Sequence, residues 1–247
     1  MLNLVKADLY RFIHRPFGYL AAGIIGFLTI LVQFFLSIGN DPASKEYVLI
    51  NVIPKGIEII LILIFIFSVF IEDEYKEGTL KNVISSNISR GKIYLSKCIS
   101  EIILALIVCA VVFISFLIGF SLLKWENGYD NTLFYEFLKR LIAIIPVFLG
   151  ALAMSNALRV IIKNNTSAIF AYTIFILSSK KVIIFLASTI WSKFSKLNDY
   201  LLYTQIEIFN DYTLGNKALI NVAIVGIATA IIFNFIGYLV FRNSEVK

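Results

Sequence analysis

Few side chains in this sequence are of the kinds that catalyse, and their spacing limits what they can do. The only histidine is His14, and the two cysteines, Cys98 and Cys109, lie eleven positions apart. On one helix, rising about 1.5 Å per residue, that spacing separates their backbones by about 16 Å. A disulfide spans no more than roughly 7 Å, so the two are expected to be small apolar packing residues. No GxxxxGK[S/T] phosphate loop occurs: Gly91-Lys92 is followed by Ile93 and lacks the upstream glycine. A membrane metalloprotease needs HExxH or several His and acid ligands, and an intramembrane serine protease needs a histidine inside a span. The Glu72–Glu77 cluster suggests an acidic protease motif, whose histidines in later helices are missing here. The chain is therefore expected to be no enzyme and to bind no cofactor of its own.

What the sequence offers instead is charge set between apolar runs. The stretch 70–102 carries nine charged side chains before Glu101, namely Glu72, Asp73, Glu74, Lys76, Glu77, Lys81, Arg90, Lys92 and Lys97. Even one charge at the centre of a bilayer costs about 3 kcal/mol or more, so this stretch is expected at a membrane surface. Val83, Ile84 and Ile88 among polar positions suggest a short amphipathic helix along that surface; a plain solvated linker is the other reading. Lys55 and Glu58, three apart, can pair on one helix face, and Glu58 lies deeper in its span. Ser178-Ser179-Lys180-Lys181 interrupts another apolar stretch. These two lysines either snorkel to the interface or line a water-filled route where they meet an anionic group.

The elements that position these charges are apolar runs of spanning length. Of 247 residues, 59% are hydrophobic and 15% charged, and the mean hydropathy is +0.87; ordinary soluble domains are about 25% charged. Nearly all the chain is needed for spans of about 20 residues and their connections, leaving no room for a further soluble catalytic domain. The net charge of +6 fits basic flanks on anionic head groups better than nucleic acid, because no basic patch with aromatics stands clear of the apolar runs.

Residues 1–16 form a candidate amphipathic helix. Leu2, Val5, Leu9, Phe12 and Ile13 lie on one face and Asp8, Arg11 and Arg15 on another, with Pro16 as its stop. The runs 17–38 and 102–123 are each 22 residues without a charge. The first is longer than a signal-peptide core and no small-residue cleavage site follows, so it is expected to be retained. Residues 39–51 read as a turn-rich connection, 52–71 as a second span, 141–158 as a fourth kinked by Pro146, and 219–240 as the last. Trp125, Tyr129 and Tyr135 fit an aromatic belt. Between Ala168 and Ile190 the run broken by Lys180-Lys181 is either one long helix or a shorter span with a re-entrant piece. The aromatic stretch 191–217 follows.

The polar stretch also resembles a pattern. Glu74, then Gly78-Thr79-Leu80 after three residues, then Ile88-Ser89-Arg90 and Ser96-Lys97, is similar to the membrane subunits of type-2 ABC exporters. More loosely, the whole layout resembles that family. The resemblance implies an all-α membrane protein, one permease domain over residues 1–247. It would have six transmembrane helices, an N-terminal amphipathic interfacial helix, a cytosolic coupling helix between spans 2 and 3, and a broken or re-entrant segment before span 6. It implies a separate ABC ATPase subunit that binds ATP and Mg, and a second permease chain, identical or paralogous. Glu74, Gly78, Thr79 and Arg90 become the expected ATPase contacts, with Gly78 allowing a tight bend and Thr79 a helix cap. Glu58, Lys180 and Lys181 become candidates for a substrate pathway, and an amphipathic peptide suits the apolar, aromatic interior. Lys and Arg number twelve on the side of the termini and ten on the other. Five of those ten fall in one long segment, which the rule for short loops discounts. Both termini are thus expected in the cytosol of a bacterium, across its cytoplasmic membrane. A sensor or accessory protein that signals through the same polar stretch without transporting is the competing expectation.

Overall fold

The computed structural model describes residues 2–14, 16–38, 42–65, 88–126 and 131–243, and all statements below concern these. Its elements are helical, apart from one isolated parallel bridge between Ser44 and Lys124. In chain order they are α1 (Leu2–His14), α2 (Pro16–Ser37), α3 (Ile53–Leu63), α4 (Arg90–Ser121), α5 (Thr132–Ile162), α6 (Asn165–Thr189), α7 (Leu202–Asn210) and α8 (Asn216–Asn243). A single turn, Lys45–Tyr47, and a π-helical turn, Val48–Val52, run into α3, and a 3-10 helix, Ser192–Tyr200, precedes α7. By length and composition α4, α5, α6 and α8 can each cross a membrane, while α2 contains a shorter apolar stretch, Ala22–Ser37. The chain divides into two compact units: Met1–Ile53 with Ser96–Phe137, and Pro54–Leu95 with Leu138–Lys247.

In the first unit, Pro16 opens α2, where a missing N–H costs nothing. Asp8 does not lie on the outward face of α1 as the sequence suggested. It is buried beside Val5, three residues away and so on the same side of a 3.6-residue helix, because it meets a cation. The Lys97 ammonium lies 2.5 Å from its carboxylate. The Ser100 hydroxyl stands 3.2 Å from the same carboxylate and 2.8 Å from the Ser96 carbonyl, with one proton to give to either. Helix α2 lies against α4 where side chains are small. A Cβ at Gly119 would come within 2.9 Å of the Gln33 amide, and one at Gly26 within 2.6 Å of the Ser115 hydroxyl. At the far end, Lys45 sits over the Phe120 and Trp125 rings at 5.2 and 5.3 Å. The buried Glu46 accepts the Glu126 amide at 3.3 Å. Trp125 is therefore packed on Phe120, whereas Tyr135 is exposed as a belt residue would be; Tyr129 lies outside the described residues.

In the second unit, α5 runs helically through Pro146, and α8 crosses it where α8 has no side chain. A Cβ on Gly226 would overlap the backbone of Pro146 and Val147. One on Gly150 would reach 3.0 Å from the Gly226 carbonyl and 3.1 Å from Thr229. Gly237 meets Ala157 and Tyr94 in the same manner. Small residues at such crossings let helix backbones approach and gain dispersion contact, which lipid cannot supply by a hydrophobic effect. Lys163 turns the chain from α5 to α6 with φ 59°, and the Asn164 side chain caps α6 by accepting the Ser167 amide at 3.0 Å.

Three expected boundaries shift. The third span's helix begins at Arg90, not Ile102, so the last third of the polar stretch is the first turns of α4. Helical structure before span 2 begins at Lys45, inside the expected turn-rich connection. Of the two readings left open across Lys180 and Lys181, the structure takes the first, one unbroken helix α6, and the irregular segment before the last span begins only after Thr189, with the 3-10 segment and α7. Twenty-five residues of α6 span about 37 Å, enough to place Lys181, eight positions before Thr189, near an interface.

The glycine crossing makes a direct prediction. Gly226→Ala should lower the thermal midpoint of the detergent-solubilised protein, with a cost of about 1–3 kcal/mol for forced overpacking. Gly23→Ala, where an added Cβ meets nothing within 4 Å, should leave that midpoint unchanged.

Candidate functional site

The residues that the sequence singles out divide between helix ends and side-chain pairs. Glu74, Gly78 and Thr79 lie outside the described residues. Arg90 is the first residue of α4, and its Nη1 donates to the Arg242 carbonyl at the end of α8, 3.1 Å away. Beside it, the Gly91 backbone lies flat on Tyr238, where a Cβ would come within 2.7 Å of the ring. Tyr94, one turn further, is buried against Tyr238 and Phe241, with ring centroids 6.4 and 5.8 Å apart.

Before the undescribed interval, the chain leaves α3 through Ile64 and Phe65 in a 3-10 turn. Two donors reach its carbonyls from other helices. The Tyr172 hydroxyl, in α6, donates to Leu61 at 2.6 Å, and Arg159 Nη2, in α5, donates to Phe65 at 2.7 Å. The Phe65 and Tyr172 rings meet edge to face at 6.5 Å. Arg159, which the sequence places in a connection, is a buried member of the last turn of α5.

Of the pathway candidates, Glu58 takes the partner expected for it: Lys55 lies 3.4 Å away, exposed, while the carboxylate is mostly covered. Lys180 is paired as well, with both Glu207 carboxylate oxygens at 2.6 and 2.5 Å, which ties α6 to α7. Lys181 is exposed. The structure thus brings Lys180 to an acid that the sequence reading passed over, and does not bring Glu58 to either lysine among the recorded ion pairs. Glu207 was legible only as an acid in an aromatic segment; nothing local marks it as a lysine's partner 27 residues back.

Arg140 is the other residue missed. It is almost wholly buried near the start of α5, donating to the Ile208 and Phe209 carbonyls at 3.3 and 3.0 Å and to Leu214 at 2.7 Å. Its guanidinium lies 4.7 Å from the centre of the Tyr212 ring. The neighbouring Asp211 carboxyl is held below its ordinary range, first by the Thr213 hydroxyl at 2.6 Å and then by the Thr213 amide at 3.0 Å. Among the described residues no group of His, Cys, Asp and Glu could hold a metal, and neither Cys98 nor Cys109 is in a disulfide. Cys98 is buried as expected of a packing residue, but Cys109 is exposed.

The Lys180–Glu207 pair is about a third exposed on each side, so its net worth is expected to be below about 1 kcal/mol. In a double-mutant cycle, Lys180→Leu and Glu207→Leu should each lower the thermal midpoint slightly. The double variant should be no worse than either, and Lys181→Leu should be silent in the same assay.

Residues 11–180, more than half of the chain, match the pattern of the family described as ABC-2 family transporter protein. No curated protein matches. The matched stretch contains α2 to α5, the undescribed polar interval and all of α6 up to Lys180. Several apolar helices of spanning length make this a multi-pass membrane protein, a permease subunit of the kind that works with an ABC ATPase. The chain belongs to the ABC-2 family of transporter proteins.

Proposed function

We propose that the chain is the membrane-spanning subunit of an ATP-driven exporter in the bacterial cytoplasmic membrane. Its cargo is an amphipathic or hydrophobic substrate, a peptide of the antimicrobial or cytolytic kind. The observation that carries this reading is the family match over residues 11–180, which includes the polar stretch 70–102. A chain without a phosphate loop receives work only by contact. ATP and Mg therefore act on a separate ATPase subunit, and this chain is no enzyme and holds no cofactor. The polar stretch is the longest internal segment both tied to spans and rich enough in charge to stand in water. Glu74, Gly78 and Thr79 make the contact in this reading, and both termini lie on the same, cytosolic side.

Two permease chains, identical or paralogous, flank the route in this proposal, with lipid covering the remaining apolar faces. An amphipathic cargo suits the surface of α6, where Phe170, Ile174, Phe175 and Phe185 are exposed on the helix that carries Lys181. Because Lys180 is taken up by Glu207, Lys181 is the lysine of the two placed to meet an anionic group.

Copurification with the ATPase tests the core of the reading. Reversing a desolvated interfacial charge costs about 2–5 kcal/mol, so Glu74→Lys should abolish copurification. Gly78→Val, which forbids a tight bend, should abolish substrate-stimulated ATP hydrolysis, and both variants should still insert. Wild-type behaviour of both would reduce the polar stretch to a linker. Orientation has its own test: cysteines placed at Asn87 and Asp130 should be labelled by membrane-impermeant reagents only from inside and only from outside, respectively. Labelling of position 87 from outside the cell would reverse the topology and remove the coupling assignment with it.

A further inference from the structure

Between α6 and α7 the sequence repeats every three residues. Phe194, Leu197 and Tyr200 fall at one phase, and Lys193, Lys196 and Asp199 at a second. Ser192, Ser195 and Asn198 hold the third. A 3-10 helix has about three residues per turn, so side chains three apart eclipse one another. The nine residues Ser192–Tyr200 adopt that helix, well beyond the roughly three or four that are usual. On an α-helix the same residues would drift round the axis by about 60° at each step, so the apolar ridge belongs to the tighter form. Trp191, immediately before the helix, joins the ridge by meeting Phe194 edge to face at 6.0 Å.

The described residues leave this ridge open: Trp191 is 54% exposed, Leu197 47% and Tyr200 68%, and no residue of the 3-10 helix is buried. Its backbone is held at both ends. The Trp191 amide donates to the Leu186 carbonyl of α6 at 3.2 Å, and the buried Gln205 side chain of α7 donates to the Asp199 carbonyl at 2.6 Å. The ridge begins two residues past the end of α6, a helix of spanning length, and the exposed Phe185 and Ile190 lead into it. Trp and Tyr favour such a boundary, where the ring body meets acyl chains and its polar atom meets water. Lys193 lies over the Trp191 ring, 4.9 Å from its centre, and Lys196 follows one turn on. Among the described residues neither lysine is paired with an acid. We propose that Trp191–Tyr200 is a docking surface for anionic phospholipid: the ridge enters the acyl-chain boundary, and Lys193 and Lys196 meet the headgroups. Two ammonium groups against the single Asp199 leave the segment basic, the complement of a negative lipid surface. A protein partner would have to bring acids for both lysines as well as an apolar groove, whereas lipid offers both at this depth. The assignment needs α6 to cross a membrane and is independent of the ATPase, the cargo and the direction of transport.

The test uses the full chain reconstituted in vesicles of phosphatidylcholine and phosphatidylglycerol, with one lipid or the other brominated on its acyl chains. Bromine quenches tryptophan emission on contact. The chain has two tryptophans, so the signal of Trp191→Phe, which retains Trp125, is subtracted to leave that of Trp191. Brominated phosphatidylglycerol should quench Trp191 more than brominated phosphatidylcholine does at equal content. Lys193→Gln and Lys196→Gln should each lower that preference by up to about fivefold, the effect of one lysine near an anionic surface. Leu197→Asn, which breaks the ridge at an exposed position, should weaken quenching by both lipids. Equal quenching of the wild-type chain by the two lipids would overturn the inference, and so would a preference that survives loss of both lysines. Quenching of Trp191 by neither lipid would overturn it as well. Aqueous iodide then tells the reason: access to iodide would mean a solvated segment, and protection from it would mean cover by a second copy or another protein.

Discussion

Backbone carbonyls at the ends of helices have no amide partner of their own, and where water is absent that deficit must be met by other protein groups. The unit formed by Pro54–Leu95 and Leu138–Lys247 meets it mainly with arginine. Arg140 covers the end of α7, Arg90 the end of α8, and Arg159 the turn that follows α3. A cation at a helix C-terminus is also favoured by the aligned peptide dipoles, by up to about 2 kcal/mol where partly buried. Lysine would serve less well. A guanidinium offers five donors in a fixed fork, which lets Arg140 hold the Ile208, Phe209 and Leu214 carbonyls together while stacking on Tyr212. The connection between α6 and α8 is thus held at its backbone by Arg140 as well as by the buried side chains Leu202, Ile206 and Phe209.

The ion pairs fall into two classes by the same reasoning. Lys55–Glu58 stands in water on its basic side and Lys180–Glu207 is partly exposed; such pairs contribute about 0–1 kcal/mol. Asp8–Lys97 is buried on both sides, and removing one member of a buried pair costs about 3–5 kcal/mol. That cost does not make the pair a net source of stability, but it does make it obligatory. Lys97 enters the packed interior of the first unit where α1 brings Asp8 to it, with Ser100 beside the same carboxylate. The first helix of the chain is thereby fixed to α4 by charge.

How much of this was legible in the sequence follows from the range over which each interaction acts. The long apolar runs, the stop at Pro16 and the Lys55–Glu58 pair depend on neighbours within a turn or two, and local spacing displays them. Asp8 was placed on the wet face of α1 because an isolated carboxylate belongs there, and its partner is 89 residues away. Whether α6 runs on through Lys180 and Lys181 or breaks there stayed open for a like reason: two charges in an apolar run are costly unless an acid arrives, and Glu207 arrives from α7 to meet Lys180. The start of α4 at Arg90 was hidden because polar first turns look like loop until Arg90 and Tyr94 are seen to pack on α8. Arg140 and Arg159 were visible only as flanking charges, since a guanidinium that serves carbonyls leaves no mark at the residues it serves.

The second unit therefore contains two kinds of joint that respond differently to force. Where α8 crosses α5, backbones touch through Gly226 and Gly150, and a slide of one residue would bring Val225 or Ile227 against the Pro146 backbone. Close-packed interiors do not absorb such volume, so α5 and α8 move together or part altogether. The joints at Leu61 and Phe65 include directional bonds to carbonyls beside the edge-to-face contact of the Phe65 and Tyr172 rings, and a hydrogen bond tolerates tens of degrees of reorientation before it weakens steeply. Rotation about those bonds is accordingly cheap where translation along the α5–α8 crossing is not. The proline at this crossing removes an N–H from the α5 ladder where the Gly226 backbone lies against it, so packing on α8 falls at the place where α5 has fewest hydrogen bonds of its own.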